Sequence, residues 1–248
     1  MNFKAIIVCL FITFAQSSVA YEALFDASLR WWNPQTKGGV GDINRGASVH
    51  DKSDTGLGLS FRMDFGRTIT ELVYSRFNIS SPILNNNHLM MTPFLTSNQA
   101  RFRVKMDTYD IHARNLIHEN EYVSLRWSYG ITYLDVDISQ FDVMGSNARM
   151  DTAGVVPMLG MEAEWFITND ISFRSHYRFG DRNIGSDDMR LKDFEMALIW
   201  AHWYAANLEL GYRNLSVDLS KDFPNHKSYL KQDYRGLYSQ LNLSLIHI

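Results

Sequence analysis

Leu57-Gly58-Leu59-Ser60-Phe61-Arg62-Met63-Asp64-Phe65 alternates without a break: every odd position is large and apolar, every even one small, polar or charged. Successive side chains of a β-strand point to opposite faces, so this stretch reads as a strand with one greasy and one polar side. The same period returns in 123–133, where Val123, Leu125, Trp127, Tyr129, Ile131 and Tyr133 alternate with Ser124, Arg126, Ser128, Gly130 and Thr132. It returns again in 171–179, where Ile171, Phe173, Tyr177 and Phe179 alternate with Ser172, Arg174, His176 and Arg178.

Ten such segments can be counted: 22–32, 55–66, 68–79, 98–117, 122–138, 153–167, 171–180, 191–203, 207–219 and 234–248. Eight strands plus a misread hairpin is the alternative count. The links alternate in length. Short ones fall at Gly66-Arg67, His118–Glu121, Thr168–Asp170 and Tyr204–Ala206, long polar ones at 33–54, 80–97, 139–152, 181–190 and 220–233. Short turns at one end and long loops at the other predict an all-β fold: a closed antiparallel up-and-down transmembrane β-barrel, with its short turns in the periplasm. Aromatic residues fall where the two interfaces would lie: Tyr21, Phe65, Tyr122, Trp165, Phe166, Trp203 and Tyr204 at the short-turn end, and Trp31, Trp32, Tyr133 and Phe179 towards the other. In 98–117 the apolar phase slips between Phe102-Val104-Met106 and Tyr109-Ile111-Ala113, which predicts a bulge or a strand rising above the membrane.

Residues 1–20 differ from the rest. Lys4 precedes an apolar run, Ala5 to Ala15, and Ser17-Ser18-Val19-Ala20 supplies small residues for a peptidase, so 1–20 reads as a cleaved signal peptide and 21–248 as the barrel. The single cysteine, Cys9, lies in that leader. The exported part is therefore expected to hold no disulfide or thiolate metal site. Without Lys4, 23 Lys and Arg face 27 Asp and Glu, an acidic balance that argues against a nucleic-acid partner. Beyond the leader no stretch approaches the roughly 20 apolar residues of a membrane helix, so a membrane can be crossed only by a closed sheet.

With apolar faces on lipid, the polar faces line a lumen of nearly balanced charge: Asp26, Asp64, Glu71, Asp110, Glu162, Glu164, Glu195 and Glu209 against Arg30, Arg62, Arg114, Arg126, Arg174, Arg178 and Arg213, with His112 and His176. A turn at Gly66-Arg67 places Arg62 opposite Glu71. A turn at Thr168–Asp170 places Glu164 opposite Arg174 and Glu162 opposite His176. Arg62, Glu71, Glu162, Glu164, Arg174, His176, Arg126 and Arg178 are thus the expected lumen ion-pair network. Locally balanced signs in a narrow barrel favour a closed interior with a structural or surface-interaction role. A narrow, porin-like solute channel is the alternative, although a selective pore would show one dominant sign.

A barrel-mouth hydrolase is less favoured. His50-Asp51 and Asp187-Asp188 could mimic the His–Asp and acidic pairs of outer-membrane proteases, but the chain looks short for the tall extracellular extension of such enzymes. Lys37-Gly38-Gly39-Val40-Gly41 lacks the Lys-Ser/Thr ending of a phosphate loop, and Asn85-Asn86-Asn87-His88 has no metal-ligand spacing. No catalytic residue, metal or cofactor is expected; loops 33–54 and 80–97 are the candidates for meeting an extracellular ligand.

Ser28-Leu29-Arg30-Trp31-Trp32, Leu72-Val73-Tyr74-Ser75-Arg76-Phe77, Tyr133-Leu134-Asp135-Val136-Asp137 and Val155-Val156-Pro157-Met158-Leu159-Gly160 are strand-level patterns over most of the mature chain. In these the sequence resembles the small Gram-negative outer-membrane β-barrel proteins of the broad OmpA/OmpW-like class. The resemblance implies barrel fold, outer-membrane lipid around it and delivery by the barrel-assembly machinery, with no catalytic residue to carry over. Members of the class usually end in an aromatic residue. This chain ends Leu243-Ser244-Leu245-Ile246-His247-Ile248, which is also the in-frame translation of a common transposon sequencing adapter, so 243–248 is expected to stand in place of native residues.

Overall fold

The computed structural model describes residues 24–42, 45–52, 56–82, 101–141, 147–184, 187–203, 206–223 and 226–247. Among them are eleven strands: β1 Leu24–Asp42, β2 Arg45–Lys52, β3 Gly56–Asp64, β4 Thr68–Pro82, β5 Arg101–Glu119, β6 Val123–Phe141, β7 Asn147–Phe166, β8 Ile171–Ile184, β9 Asp187–Trp203, β10 Ala206–Phe223 and β11 His226–His247. Neighbours are antiparallel, and β11 returns to pair with β1 from Leu24 opposite His247 to Asp42 opposite Ser228, which closes the sheet. β2 and β3 share one position round the axis, since β2 pairs with Gln35–Asp42 of β1 and β3 with Leu24–Trp32. The barrel therefore has ten strand positions, and the eight-strand alternative falls.

Local chemistry sets the short turns. Gly66 takes a positive φ of 75°, where a side chain would be strained, and its N–H donates to Asp64 Oδ1 at 2.8 Å. Asn120 Oδ1 accepts from the N–H groups of both Tyr122 and Val123 at 2.9 Å, and Thr168 Oγ1 accepts from Ile171 N–H at 3.0 Å. The leader 1–20, Tyr21, Tyr204 and residues 83–97 of the second long loop lie outside the described residues.

The strands are longer than the alternation predicted, because most of the long polar links are strand. Residues 33–54 are largely the upper half of β1 and its hairpin partner β2, and β11 begins at His226 rather than 234. A 19-residue strand such as β5 or β6 extends about 60 Å, or about 48 Å in height at a barrel tilt near 40°. That is roughly twice the ~25 Å apolar band of an outer-membrane barrel. The expectation that the chain is too short for a tall extracellular extension is therefore corrected.

The physical cause is an inversion of polarity along each strand. On β6 the outward residues are apolar from Val123 to Tyr133, then become Asp135 and Asp137. Over the same upper stretch the inward residues change from Ser124, Ser128 and Thr132 to Leu134, Val136 and Ile138, all buried. β5 inverts between Tyr109 and Asp107 outside and between Thr108 and Met106 inside; β10 inverts between Tyr212 and Asn214 outside and between Arg213 and Leu215 inside. Within the bilayer the outside must be apolar; above it the outside is wet, and the apolar side chains move to the interior. The phase slip between Met106 and Tyr109 is this inversion and no bulge: the β5–β6 ladder is continuous from Arg101 to Leu116, and its register shift falls lower, between Leu116 and His118. Tyr74, Tyr109 and Tyr133 stand opposite one another on three adjacent strands, with ring centroids 5.0 and 6.0 Å apart, and mark the upper edge of the band.

Candidate functional site: a lumen in three tiers

At the short-turn end the lumen opens into a cavity of about 270 Å³. Asp26, Ser28, Ser60, Arg62, Glu164 and Asn207 are among the side chains that line it, and Phe166 turns into its mouth rather than out to an aromatic girdle.

Above this vestibule lies a belt of charge whose members come from eight strands. Arg114 bridges Glu71 and Glu162, 2.6 Å to each. His112 stands between Glu71 (3.5 Å) and Arg178 (3.2 Å). Arg178 then reaches Asp193 at 2.6 Å, and Asp193 also accepts two 2.9 Å bonds from Arg213. Arg213 continues to Glu195 (3.1 Å), which takes a fork from Arg30 at 2.8 and 3.2 Å. Arg174 pairs with Glu209 at 2.6 Å, and Tyr238 donates to the same carboxylate. An unbroken chain of contacts thus crosses the lumen from Glu162 to Arg30. Forked Arg–carboxylate geometry gives such pairs their directionality.

The third tier fills the upper lumen with one apolar cluster: Trp32, Phe77, Val104, Met106, Leu134, Val136, Ile138, Val156, Met158, Met189, Leu191, Ala197, Leu215, Val217, Leu219, Leu230, Tyr234 and Tyr238. Met106, Val136, Val156 and Val217 are wholly buried. Inward glycines make room for the large groups below: a Cβ on Gly211 would stand 2.6 Å from the Tyr238 ring, and one on Gly160 2.7 Å from Arg178 Cγ. Trp32, expected at an interface, is instead 2% exposed inside this tier, edge-on to Phe77 at 5.0 Å and under the Arg213 guanidinium at 5.0 Å. Its neighbour Trp31 faces out, 47% exposed.

The hairpin registers place Arg62 opposite Glu71, Glu164 opposite Arg174 and Glu162 opposite His176. The ion pairs do not follow these ladders. Arg62 turns to Asp64 (2.9 Å) and Asp26 (3.9 Å), because Glu71 is held by Arg114 from the next strand. Glu164 accepts from Ser172 at 2.6 Å, His176 lies 3.4 Å from Ser128, and Arg126 leaves Nη1 buried without a hydrogen-bond partner. Period two shows which face a side chain occupies, but a long arginine in a narrow tube chooses among partners across the whole lumen. Asp193, the centre of the belt, is absent from the lumen residues expected from sequence, although its phase with Leu191, Glu195 and Ala197 marks it as inward.

Asp188 is half-buried on β9, within 3.4 Å of Ser220 Oγ; the side chains of His50, Asp51 and Asp187 lie outside the described residues. Among the described residues no group of three or more His, Cys, Asp or Glu could hold a metal ion.

No family model matches the chain, and no curated protein matches it in sequence. Solved structures do match. The outer-membrane protease OmpT from Escherichia coli superposes with a TM-score of 0.56 at 9% identity, over 92% of this chain and 99% of the other. The translocator domain of the autotransporter NalP from Neisseria meningitidis gives 0.43 at 8% identity, over 97% and 95%. Ail, the attachment invasion locus protein of Yersinia pestis, gives 0.35 at 10% identity, over 88% and 99%. At such identities a likeness speaks for fold alone, and the chain has the closed antiparallel fold of a Gram-negative outer-membrane β-barrel.

Proposed function

We propose that this protein is exported through residues 1–20, resides in the outer membrane, and acts as a closed barrel with a structural or surface-interaction role rather than as a conduit. The observation that carries the reading is the apolar cluster filling the upper lumen. A water-filled path needs polar walls, and packed apolar constrictions exclude ions by dewetting. The charged belt beneath supports the same reading, since its carboxylates and guanidiniums satisfy one another across the axis and present no row of a single sign. A role at the surface then falls to the rim, where the β1–β2 hairpin within 33–54 and the loop 80–97 would meet a ligand. Assembly by the barrel-assembly machinery belongs to the same reading.

Liposome swelling tests it. Liposomes carrying the folded protein should swell in small sugars and amino acids no faster than protein-free ones. Swelling graded by solute size would establish the narrow-channel alternative instead.

A further inference from the structure

The vestibule at the short-turn end carries charge that the belt does not use. Its roof is the belt, where Arg30, Arg114, Arg174, Arg178 and Arg213 are each spent on a carboxylate at 2.6–2.9 Å. Below that roof Arg62 is the one cation of the lining, and two carboxylates share it, Asp64 at 2.9 Å and Asp26 at 3.9 Å. Glu164 and, at the β7–β8 turn, Asp170 line the same space.

Glu164 is the informative one. It stands opposite Arg174 in the β7–β8 ladder, but Arg174 reaches away from it to Glu209 at 2.6 Å. Arg126 of β6 is one inward step higher, opposite Glu162, with its Nη1 buried and without a hydrogen-bond partner. What Glu164 holds is a neutral group, the Ser172 hydroxyl, which donates to Oε1 at 2.6 Å. Among the described residues no cation pairs with it. Beyond the leader, the side chains outside the described set at this end, those of 21–23, 202–205 and 245–248, include no Lys or Arg.

The space around Glu164 narrows the choice of occupant. At about 270 Å³ it has the room of roughly nine waters at about 30 Å³ each. Val73, Ile171 and Ile199 share the wall with the carboxylates, and Phe166 lies two residues from Glu164 on the same face of β7. An anion entering here would meet Asp26, Glu164 and Asp170. Among the described residues no three acidic or His groups converge as a metal site. The remaining fit is a cation that brings its own N–H donors and an apolar body. Its donors would meet a carboxylate and its charge the face of an aromatic ring, within a lining of few polar groups among apolar ones.

We propose that the vestibule binds a small organic cation, an amine or guanidinium compound of the periplasm, with Glu164 as its counter-charge and the Phe166 ring beside it. The site lies below the belt, so it stands or falls separately from the question of conductance.

Saturation-transfer difference NMR of the folded barrel in deuterated detergent reads the preference, with n-butylamine and its neutral twin n-butanol as probes at pH 7, where the amine is charged. The wild type should bind n-butylamine with a dissociation constant of about 1 mM and n-butanol about tenfold more weakly. Glu164→Gln, which can keep the Ser172 bond but not the charge, should bring the two probes to parity. Glu119→Gln, an equal loss of charge at the exposed end of β5, should leave the preference intact. Glu164→Asp, which keeps the carboxylate, should retain most of it and serves where the Gln variant does not fold. Equal binding of both probes by the wild type, a preference unchanged in Glu164→Gln, or equal losses in Glu164→Gln and Glu119→Gln would each overturn the proposal. Displacement of the amine by sodium at comparable concentration would do so too, since bare charge would then account for the binding.

Discussion

Asp193→Ala removes the carboxylate on which Arg178 and Arg213 converge. In the folded protein Asp193 and Arg213 are each 3% exposed at the side chain and Arg178 7%, so the charges left behind stay largely out of reach of water. Arg213 retains Glu195 at 3.1 Å, whereas Arg178 retains the neutral-ring contact with His112 at 3.2 Å and, as a carboxylate, Asp110 at 3.6 Å. Breaking a buried pair by deleting one partner costs about 3–5 kcal/mol, against less than about 1 kcal/mol for an exposed pair. The expected loss is at the buried end, a drop of roughly two to three and a half powers of ten in the folding equilibrium. Equilibrium unfolding in urea, followed by tryptophan fluorescence in lipid or detergent, measures it. Asp193→Leu combined with Arg178→Met should recover part of the loss, because the cation left with least compensation is gone, Arg213 keeps Glu195 and Asp110 keeps the Thr132 hydroxyl. A loss below about 1 kcal/mol for Asp193→Ala would refute the reasoning, since it would mean that water screens the belt.

Trp32→Ala should cost about 3–5 kcal/mol in the same unfolding assay, and Trp31→Ala less than half of that, because only Trp32 is packed inside. Equal costs would contradict the placement of Trp32 in the lumen. Gly130→Ala should cost at least about 2 kcal/mol or block the heat-sensitive shift in gel mobility that marks a folded barrel, because its Cβ would stand 2.2 Å from Ile111 O and 2.6 Å from His112 Cα. Gly56→Ala, whose Cβ would meet the Phe77 ring at 3.1 Å but no backbone atom within 3.4 Å, should cost less and still show the mobility shift.

The lower half of the barrel was legible because lipid outside and charge inside write a period of two that only a strand explains. Leu57–Asp64, 123–133 and 171–179 fall on strands for this reason, and the turn residues Gly66, Asn120 and Thr168 close hairpins beside them. In sequence the upper half reads as loop, because its outward residues, such as Asp135, Asp137 and Asp151, lack the apolar signature that marks the strands below. The information was nevertheless present as a change of phase. Leu134-Asp135-Val136-Asp137-Ile138 keeps the alternation and only exchanges inside for outside. Partner choice in the belt was not legible at all: Arg62 and Glu71 are opposite in register, but reach and depth decide that Arg114 takes the carboxylate.

Single-channel recording in planar bilayers tests the closed lumen most directly. With insertion verified by the gel-mobility shift, the wild-type barrel is predicted to add no steady conductance to the bare membrane, because in the proposed closed state the apolar tier around Met106, Val136 and Val217 excludes water above the belt. Steady, ion-selective steps from the same folded protein would contradict the account.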